Sequence, residues 1–136
     1  MTTMRADTKT IPIQAAPRRV VEFLADPANL PRWAVGFAKA IRNDRGRWIV
    51  TTGSGEVGVR IEADPRSGVV DFLVSPAPGV EALAASRVLP NGTGSQYVFT
   101  QFQGPGMPDD VFAMNVKAVE HELSALRAIL EVECPL

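Results

Sequence analysis

Between Pro108 and Glu131 the apolar residues Phe112, Val116, Val119, Leu123, Leu126 and Leu130 recur at alternating spacings of four and three. At 100° per residue they form one narrow stripe along a helix, which Ile129 widens near its end. Lys117, His121, Ser124 and Ala128 fall on the opposite side. Pro108 suits a first helical position, where its missing N–H has no partner to lose, and Asp109 and Asp110 put negative charge where the helix dipole favours it. The segment is about 36 Å long at 1.5 Å per residue. A stripe of that length requires an apolar partner, and the upstream pattern offers a sheet.

Upstream, Lys9–Ala15 alternates with Ile11 and Ile13 on one face, predicting a first strand after a loose leader over residues 1–7. Pro17 opens a helix to Ala25, stopped by Asp26-Pro27 because a residue before proline is pushed out of helical geometry. Pro27–Trp33 predicts a second short helical turn. From Gly36 the pattern changes to short extended runs: Phe37–Arg42, Arg47–Thr52, Glu56–Ala63, Gly68–Val74, Val80–Leu89 and Ser95–Gln103. The connectors between them carry the Gly, Pro, Asn and Asp of tight turns, and connections this short join antiparallel neighbours. The expected fold is α+β: a curved, seven-stranded antiparallel sheet wrapped around a long C-terminal helix, with two short helices after the first strand. The space between sheet and helix is a core if large side chains fill it and a pocket if they do not.

Composition narrows the function classes. The 136 residues make one domain (1–136), able to bury close to 70% of its unfolded surface. A net charge of −1 with scattered basic residues gives no footprint for nucleic acid. No apolar run approaches a membrane span, and residues 1–10 lack the apolar core of a secretory signal, so the expected location is cytoplasmic. Cys134 is the single cysteine and can form neither an internal disulfide nor a cysteine-based metal site. No cofactor or metal is expected, because the chain has no Gly-rich phosphate loop opening a helix, no metal-ligand spacing and no nucleophile elbow. The expected state is a monomer or a homodimer, the latter through exposed sheet edges.

Candidate chemistry rests on polar residues inside apolar strands. Asp71 shares a strand face with Val69 and Leu73, while Val70, Phe72 and Val74 share the other. Both faces are apolar, so periodicity leaves the inward face open. An inward Asp71 is a buried carboxylate and a candidate general base; an outward one is a surface residue in a cross-strand charge pair. Arg87 poses the same choice: facing inward it offers a fork of donors to a ligand oxygen, and facing outward its stem lies on the sheet with a wet head. His121 lies opposite the apolar stripe and reads as a surface residue, which leaves a Ser or Cys nucleophile without a base. Ala82, Ala84 and Ala85 fill little space and leave room for a guest or for close approach of the helix. Trp33, Phe37, Phe72, Phe99 and Phe112 are candidate aromatic lining, with Trp33 at one mouth and Met107 at the other, in a glycine-containing loop. Tyr97 and Gln101, on one face of their strand, supply the sparse polar groups of an apolar pocket.

The order of elements, with Ile11-Pro12-Ile13-Gln14-Ala15 before Pro17, Phe23-Leu24-Ala25-Asp26-Pro27, Leu30-Pro31-Arg32-Trp33, Gly68-Val69-Val70-Asp71 and Glu122-Leu123-Ser124-Ala125-Leu126, resembles the START-like or helix-grip superfamily. The match is nearest to its bacterial polyketide cyclase/dehydrase-like branch, the SRPBCC proteins, from about residue 9 to 131. The resemblance implies a helix-grip fold and binding of a small hydrophobic or aromatic molecule, lipids among them, between sheet and helix. Its enzymatic alternative is a cyclase or dehydrase acting on a hydrophobic substrate, with an inward acid or arginine assisting proton transfer. A third reading is a protein-interaction module.

Overall fold

The computed structural model describes residues 2–136. Seven strands form one antiparallel sheet in the order β1-β7-β6-β5-β4-β3-β2. They are β1 (Ala6–Ile13), β2 (Ala40–Asp44), β3 (Arg47–Thr52), β4 (Gly55–Ala63), β5 (Val69–Ala77), β6 (Val80–Asn91) and β7 (Gly94–Phe102). Helix α1 (Pro17–Ala25), a 3-10 turn (Pro27–Asn29) and the single turn α2 (Leu30–Trp33) follow β1, and the long α3 (Asp109–Glu133) closes the chain. The sheet is thus a meander from β2 to β7, with β1 returning to pair with β7.

Several boundaries differ from those the sequence predicts. Residues Ala6 and Asp7 belong to β1 rather than to a loose leader, because the ladder with β7 extends to Ala6 opposite Phe102. Phe37 lies in a turn after α2, its N–H directed to Ala34 O and to a side chain of α3, so β2 begins only at Ala40. Strand β5 runs on to Ala77 through Pro76, where a register irregularity between Val74 and Ala77 lets the ladder tolerate a residue with no N–H. Pro108 sits just outside α3, accepting from the Phe112 N–H at 3.0 Å.

Cross-strand register decides which residues face α3. Val70, Ser86, Phe99 and Lys9 form one row across β5, β6, β7 and β1; Val88, Tyr97 and Ile11 form a second. Ile61, Phe72 and Ala84 form a third across β4, β5 and β6. The core lies between these rows and the helices, with Val20, Val21 and Leu24 from α1, Leu30 and Trp33 from α2, and Val119, Leu123, Leu126 and Leu130 from α3. His121 and the rest of its side of α3 are exposed, as the stripe requires. The turn before β5 explains one glycine: Gly68 has φ +81°, its carbonyl accepts from Val88 N at 2.8 Å, and a Cβ there would come within 2.0 Å of Val88 O.

Candidate functional site between the sheet and helix α3

The inner face is not sealed evenly. At the end covered by α1, Ile13, Val70, Val88, Ser95 and Tyr97 are at most 1% exposed. Toward the N-terminal half of α3, the inward-facing Val57, Val74, Ala84 and Phe99 are only partly buried, and Gln101 likewise. Water therefore reaches the inner sheet at one end, and the alternation of β7 carries Tyr97, Phe99 and Gln101 from the closed interior to that opening.

Three buried polar atoms on this face form no hydrogen bond: Tyr97 Oη, Gln101 Nε2 and Asp7 Oδ2, the last of which has an ion pair with Lys9 Nζ at 3.3 Å. A buried hydroxyl or amide without a partner costs free energy, so such atoms call for a water or a ligand group. Burial pushes the Tyr97 phenol well above its ordinary range, opposed by Ser86 and reinforced by the negative charge of Glu122. Ser86 spends its own proton on Val70 O at 2.6 Å and forms no hydrogen bond of good geometry with the phenol.

Glu122 is the residue that sequence reasoning missed. It is 6% exposed within the apolar stripe of α3. Its Oε2 accepts from Gly36 N at 3.0 Å and from Phe37 N at 3.1 Å. Gly36 has no side chain because a Cβ there would lie 2.9 Å from Ala118 Cβ. The carboxylate therefore clasps the turn between α2 and β2 to the long helix. Burial raises its pKa to about 7, against the lowering effects of the two backbone N–H groups and of Lys39. The sequence did carry a signal: Glu122 lies three residues after Val119 and four before Leu126, on the edge of the stripe that must be buried.

The aromatic candidates are brought together in part. Trp33 and Phe72 have ring centroids 5.9 Å apart, Phe72 and Phe99 6.3 Å, and Tyr97 and Phe99 6.4 Å. Trp33 is 3% exposed and so belongs to the core rather than capping a mouth. Ala84 faces inward, opposite Phe72. Phe37 is half-buried on the turn held by Glu122. Phe112 is buried under the Arg5 guanidinium, 5.1 Å above its ring, and stands outside the main core cluster. Met107 is half-buried at the start of α3, in a loop tied by Gln103 Nε2, which donates to Met107 O and to Asp109 Oδ1 at 2.8 Å each.

Asp71 and Arg87 are not in the interior. Register puts Asp71 opposite Glu62 and Ala85, and Arg87 opposite Val69 and Val98, on the outer face. Arg87 is exposed and its Nε donates to Ser67 O at 3.1 Å. Val70, Phe72, Ser86 and Val88 occupy the inward positions, so Asp71 and Arg87 take the outward alternative; Asp71 stands opposite Glu62, a like charge, rather than in a cross-strand charge pair. Arg60, also outside, pairs with Glu62 and Glu81.

A separate open cleft of about 710 Å³ lies between the start of α1 and the β4–β5 turn, lined by Pro17, Arg18, Asp64, Arg66 and Pro90 among others. It contains none of the residues predicted for the site and none of the three atoms without a hydrogen bond. Among the described residues, no group of three or more His, Cys, Asp or Glu is arranged to hold a metal ion. No helix of the described residues is long and apolar enough to cross a membrane.

A curved antiparallel sheet gripping one long helix, with a partly open inner face, defines a START-like domain. The chain matches the family described as polyketide cyclase / dehydrase and lipid transport over residues 4–131, and belongs to it. Among solved structures it is similar to XoxI from Bacillus cereus, with a TM-score of 0.73 and 18% identity over 96% of this chain and 99% of that one. It is also similar to the Aha1 dimer from Colwellia psychrerythraea, with a TM-score of 0.71 and 16% identity over 95% and 98% of the two chains. The di-domain ARO/CYC BexL from the BE-7585A biosynthetic pathway aligns with a TM-score of 0.72 and 19% identity over 96% of this chain and 48% of its own. At these identities the likenesses show the fold. No curated protein sequence matches the chain.

Proposed function

We propose that this protein binds a small, largely apolar molecule between β7 and α3, entering by the open end of the inner sheet. The observation that carries the reading is the pair of buried, unpartnered polar atoms, Tyr97 Oη and Gln101 Nε2, on one strand face with Phe99 between them. Apolar pockets orient their ligands with such isolated groups. The family, whose description joins cyclases and dehydrases to lipid transport, supports the same class of ligand. Native mass spectrometry of protein purified from its own host, with organic extraction, tests it. A co-purifying small hydrophobic compound is the expected result; failure of the protein to retain or take up any apolar compound overturns it.

A second reading, a cyclase- or dehydrase-like enzyme, has one observation of its own. Glu122 is a buried carboxyl whose pKa is raised to about 7, suited to exchanging a proton near neutral pH. The likeness in fold to the di-domain ARO/CYC BexL supports it. Its test is turnover of an enolisable polyketide-like substrate by wild type and by Glu122→Gln: loss of turnover with retained binding supports the reading, and equal turnover ends it.

A further inference from the structure

Strand β6 is longer than the ladder that covers one of its sides. Its twelve residues pair with β5 from Val80 onward, but β7 pairs with it only from Ala85, opposite Thr100, to Asn91. Val80–Ala84 therefore has a free edge, and Val80, Glu81, Ala82 and Leu83 are exposed. The parity of the ladder decides which backbone groups that edge presents. Val88 N donates to Gly68 O on the β5 side, and in an antiparallel ladder alternate residues turn both N–H and C=O the same way. Counting back along β6, Ala82 and Ala84 bond toward β5, and Glu81 and Leu83 turn two donors and two acceptors outward. The outer edges of the sheet are guarded against pairing: β1 carries Lys9 and Pro12, and β2 is five residues long with Arg42 and Asp44. Along Val80–Ala84 the one charge is Glu81, held by Arg60 Nη2 at 3.1 Å. An apolar edge left so unguarded is a template for another strand.

Self-pairing has one register that satisfies this edge. With Ala82 opposite Ala82 of a second copy, Glu81 and Leu83 exchange four N–H···O bonds with Leu83 and Glu81 of that copy, Val80 meets Ala84, and no like charges are opposed. A register centred on Glu81 sets two carboxylates opposite each other, and one centred on Leu83 needs Ala85, which is taken by β7. Ala82 then occupies the non-hydrogen-bonded position where strands approach most closely, about 4.5 Å between Cα atoms, and its small side chain permits that approach.

We propose that this protein forms a two-fold homodimer by antiparallel pairing of Val80–Ala84 with the same segment of a second copy, joining the two sheets through β6. The dimer is independent of what the interior binds. Sedimentation velocity over about 1–300 μM tests it, since a contact this small is expected to dissociate at about 10–100 μM. The mass is expected to rise with concentration from 14.6 kDa toward twice that value. Leu83→Pro deletes an outward N–H that β5 does not use, so the fold is retained by circular dichroism while dimerisation weakens at least about tenfold. Ala82→Lys, which opposes two like charges at the centre of the ladder, has the same effect. Oxidation of Ala82→Cys in a Cys134→Ser background is expected to cross-link two copies. Leu83→Cys in that background is not, because the register holds the two Leu83 Cα atoms about 9 Å apart, beyond disulfide reach. Wild type that stays monomeric throughout, or dimers that persist in both Leu83→Pro and Ala82→Lys, overturns the proposal. Cross-linking through Leu83→Cys in place of Ala82→Cys overturns the register.

Discussion

Glu122 on α3 holds Gly36 in the turn after α2 by a 3.0 Å hydrogen bond from the backbone N–H, and the same oxygen takes the Phe37 N–H at 3.1 Å. The turn is pinned at the one place where it meets α3 closely enough to require glycine. Glu122→Ala leaves two N–H groups without acceptors and is expected to cost about 2–4 kcal/mol, whereas Glu122→Gln retains the acceptor and costs about 1 kcal/mol or less. Chemical denaturation of the two variants checks this; equal stabilities would show that the clasp contributes nothing.

The same carboxyl sets a pH dependence. Its pKa is raised to about 7 in the fold from 4.5 when free, so between these values the folded chain holds more protons than the unfolded one. Stability is therefore greatest below pH 4.5 as far as this group is concerned, and it is lost as pH rises through 7. The full effect is on the order of 3 kcal/mol. Wild type is expected to lose stability between pH 4.5 and 7 relative to Glu122→Gln, in which this group cannot titrate. Parallel profiles for the two proteins would contradict the assignment.

Leu123 lies at the centre of the stripe that α3 presses on the sheet and is 3% exposed. Leu123→Ala leaves a cavity there and is expected to cost about 2–5 kcal/mol. His121→Ala, two residues away on the exposed side, changes neither stability nor ligand affinity measurably. Thermal unfolding of both variants checks the face assignment.

Gly68 holds φ at +81° with Val88 O where its Cβ would be. Gly68→Ala combines a left-handed backbone with a clash against a strand, at an expected cost of about 2–4 kcal/mol. A neutral result in a denaturation experiment would mean that the β4–β5 turn can open without cost to the sheet.

The element order, the antiparallel meander and the stripe of α3 were legible in the sequence because each rests on a local periodicity. Phe112, Val119, Leu123, Leu126 and Leu130 are buried as their spacing requires. The orientation of Asp71 and Arg87 was not legible, because Val69, Leu73, Leu83 and Leu89 make the outer face of β5 and β6 almost as apolar as the inner one. Only register with Val70 and Val88 separates the faces. Phe37 escaped β2 because its N–H is claimed by Glu122, a long-range partner that no local pattern announces. Tyr97 and Gln101 were legible as an inward pair by strict alternation; that both lack partners follows only from the packed structure.

The proposed guest site lies on the inner sheet beside β7. Ala84 faces inward opposite Phe72 and is only partly buried, so a large side chain there occupies the proposed space without replacing a core residue. Titration with Nile red, a neutral apolar dye, compares wild type with Ala84→Trp. Saturable binding with blue-shifted emission is expected in wild type and its loss in the variant, with the fold retained by circular dichroism. Absence of saturable binding in wild type, or equal binding by both proteins, would contradict it.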